Sequence, residues 1–225
     1  MGYNKPAMYK YVFFDCDGTL LETLPDIRIA TNLALKQCGY DYQFSLKEAR
    51  CLIGNGADML VRRALKDKAD DPVAFAQLKA AYLPLYKEHQ ADHAKPFNGI
   101  KEICKVLKDN GIRMFVITNK PDALAKEILQ LHFGKNLFDE IQGALEGVPV
   151  KPDPALLDRV AAKYGVDKSE ALYVGDALPD AMTAKNAGMD CCLCLWGYGE
   201  YKPQLLELTK FQVKKPKELA QIVLR

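Results

Sequence analysis

Hydrophobic residues along this chain fall into short runs that alternate with amphipathic segments. Five apolar runs rich in β-branched and aromatic residues predict strands: YKYVFFD, IRMFVIT, FDEIQG, ALYVGD and MDCCLCLW. Segments with helical spacing follow them, such as KPDALAKEILQLH with Pro121 early in its first turn and PDPALLDRVAAKYG with a glycine stop at Gly165. The alternation predicts an α/β fold, with a Rossmann-like parallel sheet and helices on both faces.

One long region departs from this alternation. Residues 22 to about 91 contain helical pieces and no good strand, and the following KPFNG segment has the composition of a linker. We therefore predict a small α-helical cap domain over residues 21–94, inserted after the first strand. The α/β core domain is predicted to comprise residues 1–20 and 95–225.

Composition narrows the classes of function. The chain has 225 residues, a formal net charge of +2, 49% hydrophobic residues and 27% charged residues, which is ordinary for a globular protein. The near-neutral charge gives no reason to expect nucleic acid or a membrane surface as a partner. No apolar run approaches the ~18 residues that span a bilayer, and the N-terminal segment lacks the apolar core of a signal peptide. We expect a cytoplasmic protein, either a monomer or a homodimer.

The seven cysteines are expected to be reduced, because their number is odd and the chain is long enough for a full core. Cys191, Cys192 and Cys194 cluster in the last predicted strand. Strand alternation places Cys191 on the face opposite the other two, and the paired C-x-x-C spacing of zinc sites is absent from this sequence. We interpret the cluster as buried core residues.

Polar residues follow three of the predicted strands, and ligands of open α/β sheets bind beyond the carboxyl ends of their strands. The residues at these strand ends, with two in nearby loops, are Asp15, Asp17, Thr118, Asn119, Asp176, Lys151 and Asp180. Two carboxylates ~4 Å apart repel by about 4 kcal/mol at an effective dielectric constant of 20. Such a cluster indicates a hard cation, and oxygen ligands favour Mg²⁺.

The same residues suit phosphoryl chemistry. Lys151 and a threonine hydroxyl complete a pocket for an anion, and an aspartate can attack phosphorus to form an aspartyl-phosphate. Asp17 can protonate the leaving alkoxide and then accept a proton from the attacking water. Gly18 permits a tight turn, and Thr19 is predicted to hydrogen-bond Asp17.

Four segments in order, DCDGTL, TNK, KPDP and GDALPD, resemble the four motifs of the haloacid dehalogenase superfamily, small helical-cap subclass. The resemblance implies that Asp15 is the nucleophile, Asp17 the acid/base, Thr118 a phosphate ligand and Lys151 the charge clamp. It implies Mg²⁺ on Asp15, the Asp17 backbone carbonyl and Asp176, with Asp180 in support. True dehalogenases lack the second aspartate, so Asp17 favours phosphoryl chemistry.

Two departures from the family pattern leave these roles intact. Cys16 replaces the usual apolar residue of the first motif, and Ala177 replaces Ser, Thr or Asn.

The first motif also resembles the start of a calcium loop, but its glycine is the fourth residue rather than the sixth, and Asp26 occupies the twelfth position in place of Glu.

The segment IGNGADMLVRRAL in the predicted cap is similar to the cap of phosphoglycolate phosphatases. Its Gly54, Asn55 and Gly56 are predicted to contact substrate, with backbone N–H groups facing an anion. Arg62 and Arg63 are expected on a solvated helix face, and Asn119 is predicted to bind substrate. The favoured function is a Mg²⁺-dependent phosphatase of a small-molecule phosphomonoester, with phosphoglycolate the leading candidate.

Three alternatives stay open at this point. A phosphomutase of the β-phosphoglucomutase type shares the core residues and differs in its cap. A non-enzymatic module would bind phosphorylated ligands without turnover. A phosphonate-cleaving relative would need a cap lysine that forms an imine, and the sequence singles out none.

Overall fold

The computed structural model describes residues 8–225, and it divides the chain into two compact units. One unit contains the described residues up to Leu21 together with Pro96–Arg225, and the other is Glu22–Lys95. The second unit spans nearly the same residues as the predicted cap. Whether it closes over a site stays a prediction.

The larger unit is built on a parallel sheet. Within the described residues the sheet has six strands in the order β5-β4-β1-β6-β7-β8. The strands are β1 (Tyr11–Phe14), β4 (Arg113–Pro121), β5 (Glu140–Ala144), β6 (Ala171–Gly175), β7 (Asp190–Cys194) and β8 (Phe211–Val213). This arrangement confirms the predicted α/β class. The crossing strand order also places β1 between β4 and β6, the strands that precede the other polar tips.

The register sets the ends of β1 and β6 beside Val116 of β4, five residues before β4 itself ends. Phe14, the last residue of β1, pairs with Val116 of β4 and with Val174 of β6. Phe13 and Phe115 are fully buried, and their rings stack with centroids 4.8 Å apart. Because the strands are buried on both faces, their apolar runs are continuous rather than alternating. The sheet therefore presents Asp15, Thr118 and Asp176 at one edge.

Helices connect the strands of this unit. They are α5 (Ile100–Asp109), α6 (Asp122–Phe133), α7 (Ala155–Tyr164), α8 (Leu178–Ala187), α9 (Pro203–Glu207) and α10 (Glu218–Val223). Helix α7 ends at Gly165, as the sequence predicts, with a left-handed φ of 61° that glycine adopts without strain.

Three details of the predicted elements were wrong. Pro121 is the last residue of β4 and pairs with Ala144, so α6 begins after it rather than around it. A residue that precedes proline is biased toward extended backbone, which favours the longer strand. The first strand is Tyr11–Phe14, shorter than predicted, and β8 and α9 were not predicted.

The smaller unit is helical. Its helices are α1 (Leu24–Gln37), α2 (Leu46–Ala49), α3 (Gly56–Leu65) and α4 (Pro72–His89). The carboxylate of Asp26, fully buried, accepts hydrogen bonds from the backbone N–H groups of His93 (3.0 Å) and Ala94 (2.8 Å). This bond set ties the start of α1 to the end of the unit, so Asp26 has a structural role here.

Two short strands, β2 (Leu21–Glu22) and β3 (Lys95–Pro96), form a separate two-stranded sheet. Neither strand was predicted, because a two-residue strand leaves no periodic pattern in the sequence. Among the described residues, no helix has the length and apolar character needed to cross a membrane.

Candidate active site

The tip of β1 explains the two aspartates of the first motif. The carbonyl oxygen of Cys16 accepts the N–H groups of Leu20 and Leu21, both at 3.0 Å, which folds the chain back on itself. Gly18 adopts a φ of 90° in this turn, and Leu20 returns to the core. The turn leaves Asp15 and Asp17 at the carboxyl edge of the sheet.

Lys151 lies between two carboxylates. Its Nζ is 2.7 Å from Oδ1 of Asp15 and 2.6 Å from Oδ1 of Asp180, and its side chain is 3% exposed. A buried ammonium is costly unless it is paired, and this one has two partners. Lys151 is thus fixed against Asp15, the residue that the family resemblance implies as nucleophile.

Burial changes the pKa values of Asp15 and Lys151. Desolvation raises the pKa of Asp15 to about 7, although the nearby Lys151 ammonium opposes the shift. Desolvation lowers the pKa of Lys151, but Asp15 and Asp180 outweigh it and hold that pKa well above its usual range. Lys151 therefore carries its positive charge at neutral pH.

Asp176, at the tip of β6, is held by donors from two loops. Its Oδ1 accepts the hydroxyl of Thr19 (3.0 Å), and its Oδ2 accepts the N–H groups of Tyr198 (2.7 Å) and Gly199 (3.2 Å). Burial raises the pKa of Asp176 to about 8, with Asp180 and Asp15 contributing further. The predicted bond from Thr19 to Asp17 was wrong, because Thr19 turns to the carboxylate on the neighbouring strand.

Asp180 supports both Lys151 and the start of α8. Its Oδ1 accepts Lys151, and its Oδ2 accepts the N–H groups of Asp176 (3.1 Å) and Ala177 (3.0 Å). A carboxylate at the third position of a helix can reach back to the N–H of the residue that caps the helix, as Asp180 does here. Ala177 lacks a capping side chain, and Asp180 supplies the cap from within the helix.

Asp15, Asp176 and Asp180 can each offer a carboxylate oxygen such that all three oxygens lie within 4.8 Å of one another. Closely spaced, buried carboxylates are the donor set of a hard divalent cation, so the arrangement fits Mg²⁺. The side chain of Asp17 is not part of this group. Its predicted role as a metal ligand concerns its backbone carbonyl alone, and that role stays a prediction.

The second half of β4 carries the predicted phosphate ligand, Thr118. Thr118 is 2% exposed, and its hydroxyl accepts the N–H of Lys120 at 3.3 Å. The amide of Asn119 donates to the Lys151 carbonyl (3.1 Å) and accepts the Lys151 N–H (2.8 Å). Asn119 therefore positions the backbone of Lys151, and its predicted contact with substrate stays a prediction.

Sequence reasoning missed two groups at this edge. Lys120, taken as the start of a helix, is a buried residue whose Nζ lies 3.4 Å from Oδ1 of Asp17. Trp196 donates its indole N–H to the carbonyl of Thr19 at 3.1 Å, which joins the loop after β7 to the turn after β1. The sequence signals were the place of Lys120 in the TNK segment and the position of Trp196 shortly after the last predicted strand.

The predicted substrate loop lies in the helical unit. Gly54 and Gly56 have φ values of 111° and 81°, and Asn55 is the residue before α3. Arg63 donates to the side-chain oxygen of Asn55 (2.6 Å) and to the carbonyl of Ile53 (3.0 Å). The expectation of a solvated face for Arg63 was wrong, since it fixes this loop. Substrate contact by Gly54, Asn55 and Gly56 stays a prediction.

The expectation for Arg62 was wrong as well. Its Nη1 donates to the carbonyl of Ala69 at 2.9 Å, and its guanidinium lies 4.6 Å from the centroid of the Phe75 ring. Both arginines of α3 therefore stabilise the helical unit itself.

We expect Gly18→Ala to weaken Mg²⁺ binding. A Cβ at Gly18 would lie 2.6 Å from Oδ2 of Asp176, so the carboxylate would have to move. Gly147→Ala is the matched control, because Gly147 has a similar φ of 72° and open space around it. Both variants should lose about 1 kcal/mol of stability to backbone strain. Mg²⁺ titration by calorimetry should show at least about tenfold weaker binding for Gly18→Ala only. Equal Mg²⁺ affinities in the two variants would contradict the geometry.

Comparison with known proteins places the chain in a family. The family model for haloacid dehalogenase-like hydrolases matches residues 12–194. The phosphoglycolate phosphatase of Thiobacillus denitrificans is 36% identical over 204 residues, which cover 88% of each chain. The phosphoglycolate phosphatase of Vibrio parahaemolyticus is 33% identical over 221 residues, which cover 95% of this chain and 96% of its own.

Solved structures agree. A crystal structure of a predicted phosphoglycolate phosphatase from Haemophilus somnus has a TM-score of 0.87 at 29% identity, covering 96% of this chain and 98% of its own. CbbY from Rhodobacter sphaeroides, crystallised with phosphate, has the same fold with a TM-score of 0.80 at 23% identity, covering 94% of this chain and 96% of its own.

The chain belongs to the haloacid dehalogenase-like hydrolase family. It is an enzyme of the hydrolase class. Within the family it is similar to phosphoglycolate phosphatases, which are phosphoric monoester hydrolases.

Proposed function

We propose that the protein is a Mg²⁺-dependent phosphoric monoester hydrolase that acts through an aspartyl-phosphate on Asp15, with phosphoglycolate as the leading substrate. The observation that carries the proposal is the contact of Asp15 with the charged, buried Lys151 beside Asp176 and Asp180. The phosphoglycolate phosphatases similar to this chain support the reaction and the substrate.

Each charged residue has a use in such a reaction. Asp15, Asp176 and the Asp17 carbonyl would hold Mg²⁺, which supplies positive charge against the oxygens of the phosphoryl group. Lys151 offsets the negative charge of Asp15, so that a phosphate dianion can approach the carboxylate that attacks it. The hydroxyl of Thr118 donates to a phosphate oxygen.

Two transfers complete the reaction. In the first, an oxygen of Asp15 forms a bond to phosphorus while the ester P–O bond breaks, and Asp17 donates a proton to the leaving alkoxide. In the second, Asp17 takes a proton from water as the water oxygen bonds to phosphorus. The bond from phosphorus to Asp15 breaks, which regenerates the carboxylate and releases inorganic phosphate.

The substrate assignment rests on chemistry in the helical unit as well as on the relatives. Phosphoglycolate carries a second anionic group, its carboxylate. The loop at Gly54, Asn55 and Gly56 begins α3, and the N-terminus of a helix favours an anion. The internal bonds of Arg63 to Asn55 and Ile53 give this loop a defined shape.

A substrate panel tests the assignment. Phosphate release is measured with Mg²⁺ on phosphoglycolate, a nucleoside monophosphate, pyrophosphate and glucose 1-phosphate, at matched concentrations. We expect the highest kcat/KM on phosphoglycolate. A higher value on another monoester would contradict the substrate but retain the phosphatase. Conversion of glucose 1-phosphate to the 6-phosphate without phosphate release would support the mutase instead.

Mg²⁺ is expected to stabilise the folded protein, because it binds carboxylates that the unfolded chain does not bring together. At a Mg²⁺ concentration 100 times its Kd, the gain is about 2.7 kcal/mol. Asp176→Asn should remove most of the increase in Tm, whereas Asp190→Asn, on a surface carboxylate of β7, should keep it. Equal increases in Asp176→Asn and wild type would exclude Asp176 as a ligand.

A further inference from the structure

Each of the two aspartates of the first motif lies beside its own buried lysine. Lys151 contacts Asp15, and Lys120 approaches Asp17 with its Nζ 3.4 Å from Oδ1. The side chain of Lys120 is 1% exposed and that of Asp17 is 13% exposed. Lys120 is therefore buried where it meets Asp17, while the side chain of Asp17 keeps partial exposure to solvent.

The backbone of Lys120 is fixed independently of this ion pair. Its N–H donates to the hydroxyl of Thr118, and the next residue, Pro121, pairs with Ala144 of β5. Its carbonyl is packed so closely against Gly143 that a Cβ there would lie 2.6 Å away. The lysine thus projects from a rigid strand end, which is the kind of support that positions a reacting group.

Burying the Lys120 ammonium is unfavourable unless nearby charges compensate, because the ammonium loses its hydration. Four carboxylates meet at this edge: Asp15, Asp17, Asp176 and Asp180. The two lysines leave the set with a net charge of −2 when all are ionised, which matches one divalent cation. Lys120 is the lysine that faces the proposed acid/base.

We infer that Lys120 is a positioning residue that sets the orientation of the Asp17 carboxylate for both proton transfers. The inference rests on the proposed function, since it concerns the acid/base of that reaction. Lys120 acts through Asp17 and does not contact the substrate. Its removal should therefore lower kcat and leave KM nearly unchanged.

The competing explanation is a structural ion pair without effect on chemistry. Lys126 and Asp122 provide a control for such a pair on the same segment, with Nζ and Oδ2 2.7 Å apart and the lysine 43% exposed. Lys126→Met removes a lysine–aspartate contact outside the site. It should leave kcat and KM within about twofold of wild type.

The test compares Lys120→Met, Lys120→Arg and Lys126→Met on phosphoglycolate. We expect Lys120→Met to lower kcat about 100-fold with KM within about twofold, because acid/base catalysis contributes that much or more. Lys120→Arg, which retains the charge, should recover at least about tenfold of the loss. A raised KM with normal kcat would assign Lys120 to substrate binding and overturn the inference, as would wild-type kinetics of Lys120→Met.

Burst kinetics separate the two transfers. p-Nitrophenolate leaves without a proton, so Lys120→Met should still transfer phosphate from p-nitrophenyl phosphate to Asp15 but hydrolyse the intermediate slowly. We expect a burst of about one nitrophenolate per active site, which a structural defect would not produce. In the Asp17→Asn background, Lys120→Met should change kcat less than about threefold, because its partner is already absent.

A second substitution distinguishes a folding defect of Lys120→Met from a catalytic defect. If Lys120→Met does not fold, Lys120→Gln takes its place and the same kinetic split is expected. Failure of both single variants to fold, with normal folding of the Asp17→Asn/Lys120→Met double variant, would show a purely structural pair and overturn the inference. Wild-type protein without phosphatase activity would contradict the proposed function itself. An active wild type with an indifferent Lys120→Met would contradict this inference alone.

Discussion

Asp15→Asn is expected to lower phosphate release by about 10⁴-fold or more, because an amide oxygen cannot replace the attacking carboxylate. Asp15 lies at the tip of β1, 2.7 Å from the Nζ of Lys151. The substitution is nearly isosteric, so the strand and the turn after it should form as before. The measurement is kcat on phosphoglycolate in saturating Mg²⁺.

If Asp15→Asn is folded but inactive, the loss of activity comes from the missing carboxylate and not from unfolding. Thermal melting in EDTA should show that Asp15→Asn remains folded, since Asp180 still pairs with Lys151 at 2.6 Å. Cys16→Ala, in the same turn, serves as a control for local packing damage and should keep most of the activity, because Cys16 contributes its backbone carbonyl to the turn. Activity of Asp15→Asn within tenfold of wild type would exclude Asp15 as the nucleophile.

Lys151→Met should cause the largest loss of stability among the site variants. Lys151 is 3% exposed and contacts Asp15 and Asp180, so its removal leaves two buried carboxylates without a cation. Breaking a buried pair in this way costs roughly 3–5 kcal/mol. For a chain of this length we expect a fall in Tm of about 6–20 °C, measured in EDTA. Activity should be lost as well.

The loss of stability in Lys151→Met should depend on pH, and the direction of that dependence follows from the pKa of Asp15. Asp15 has a pKa of about 7 in the folded protein against 3.8 for an isolated aspartate, so the folded state binds a proton more tightly between these values. Stability from this group is lost as the pH rises through that window. Lys151 opposes the shift, so Lys151→Met should be less destabilised at about pH 5 than at about pH 8.

The partly exposed pair of Lys126 and Asp122 again provides the control. Lys126→Met should cost less than about 0.5 kcal/mol, because an i,i+4 pair with a lysine open to solvent contributes little. If Lys151→Met and Lys126→Met lost equal stability, Lys151 would not be the cation that neutralises this site.

The sequence predicted the parts of the site that depend on strand order and strand ends. Asp15, Thr118 and Asp176 follow buried apolar runs, and parallel strands bring their carboxyl ends to one edge. Motif resemblance supplied Lys151, which lies in a loop. The α/β class followed from the alternation of strands and helices, which is the most regular signal in the chain.

The contacts that join distant loops could not be predicted from the sequence. Thr19 bonds Asp176 across 157 positions, and Asn119 bonds the backbone of Lys151 across 32. The partner of such a side chain depends on its rotamer and on which loop packs against it, and neither follows from local pattern. Lys120 was missed for the same reason, since its direction depends on where β4 ends.

We expect this site to release phosphate from a monoester with the help of Mg²⁺. The most direct measurement is inorganic phosphate released from phosphoglycolate by the purified protein, in Mg²⁺ and in excess EDTA. We predict turnover in Mg²⁺, its loss in EDTA and its return when Mg²⁺ is restored. Folded protein that releases no phosphate in Mg²⁺, or releases it equally well in EDTA, would contradict the claim.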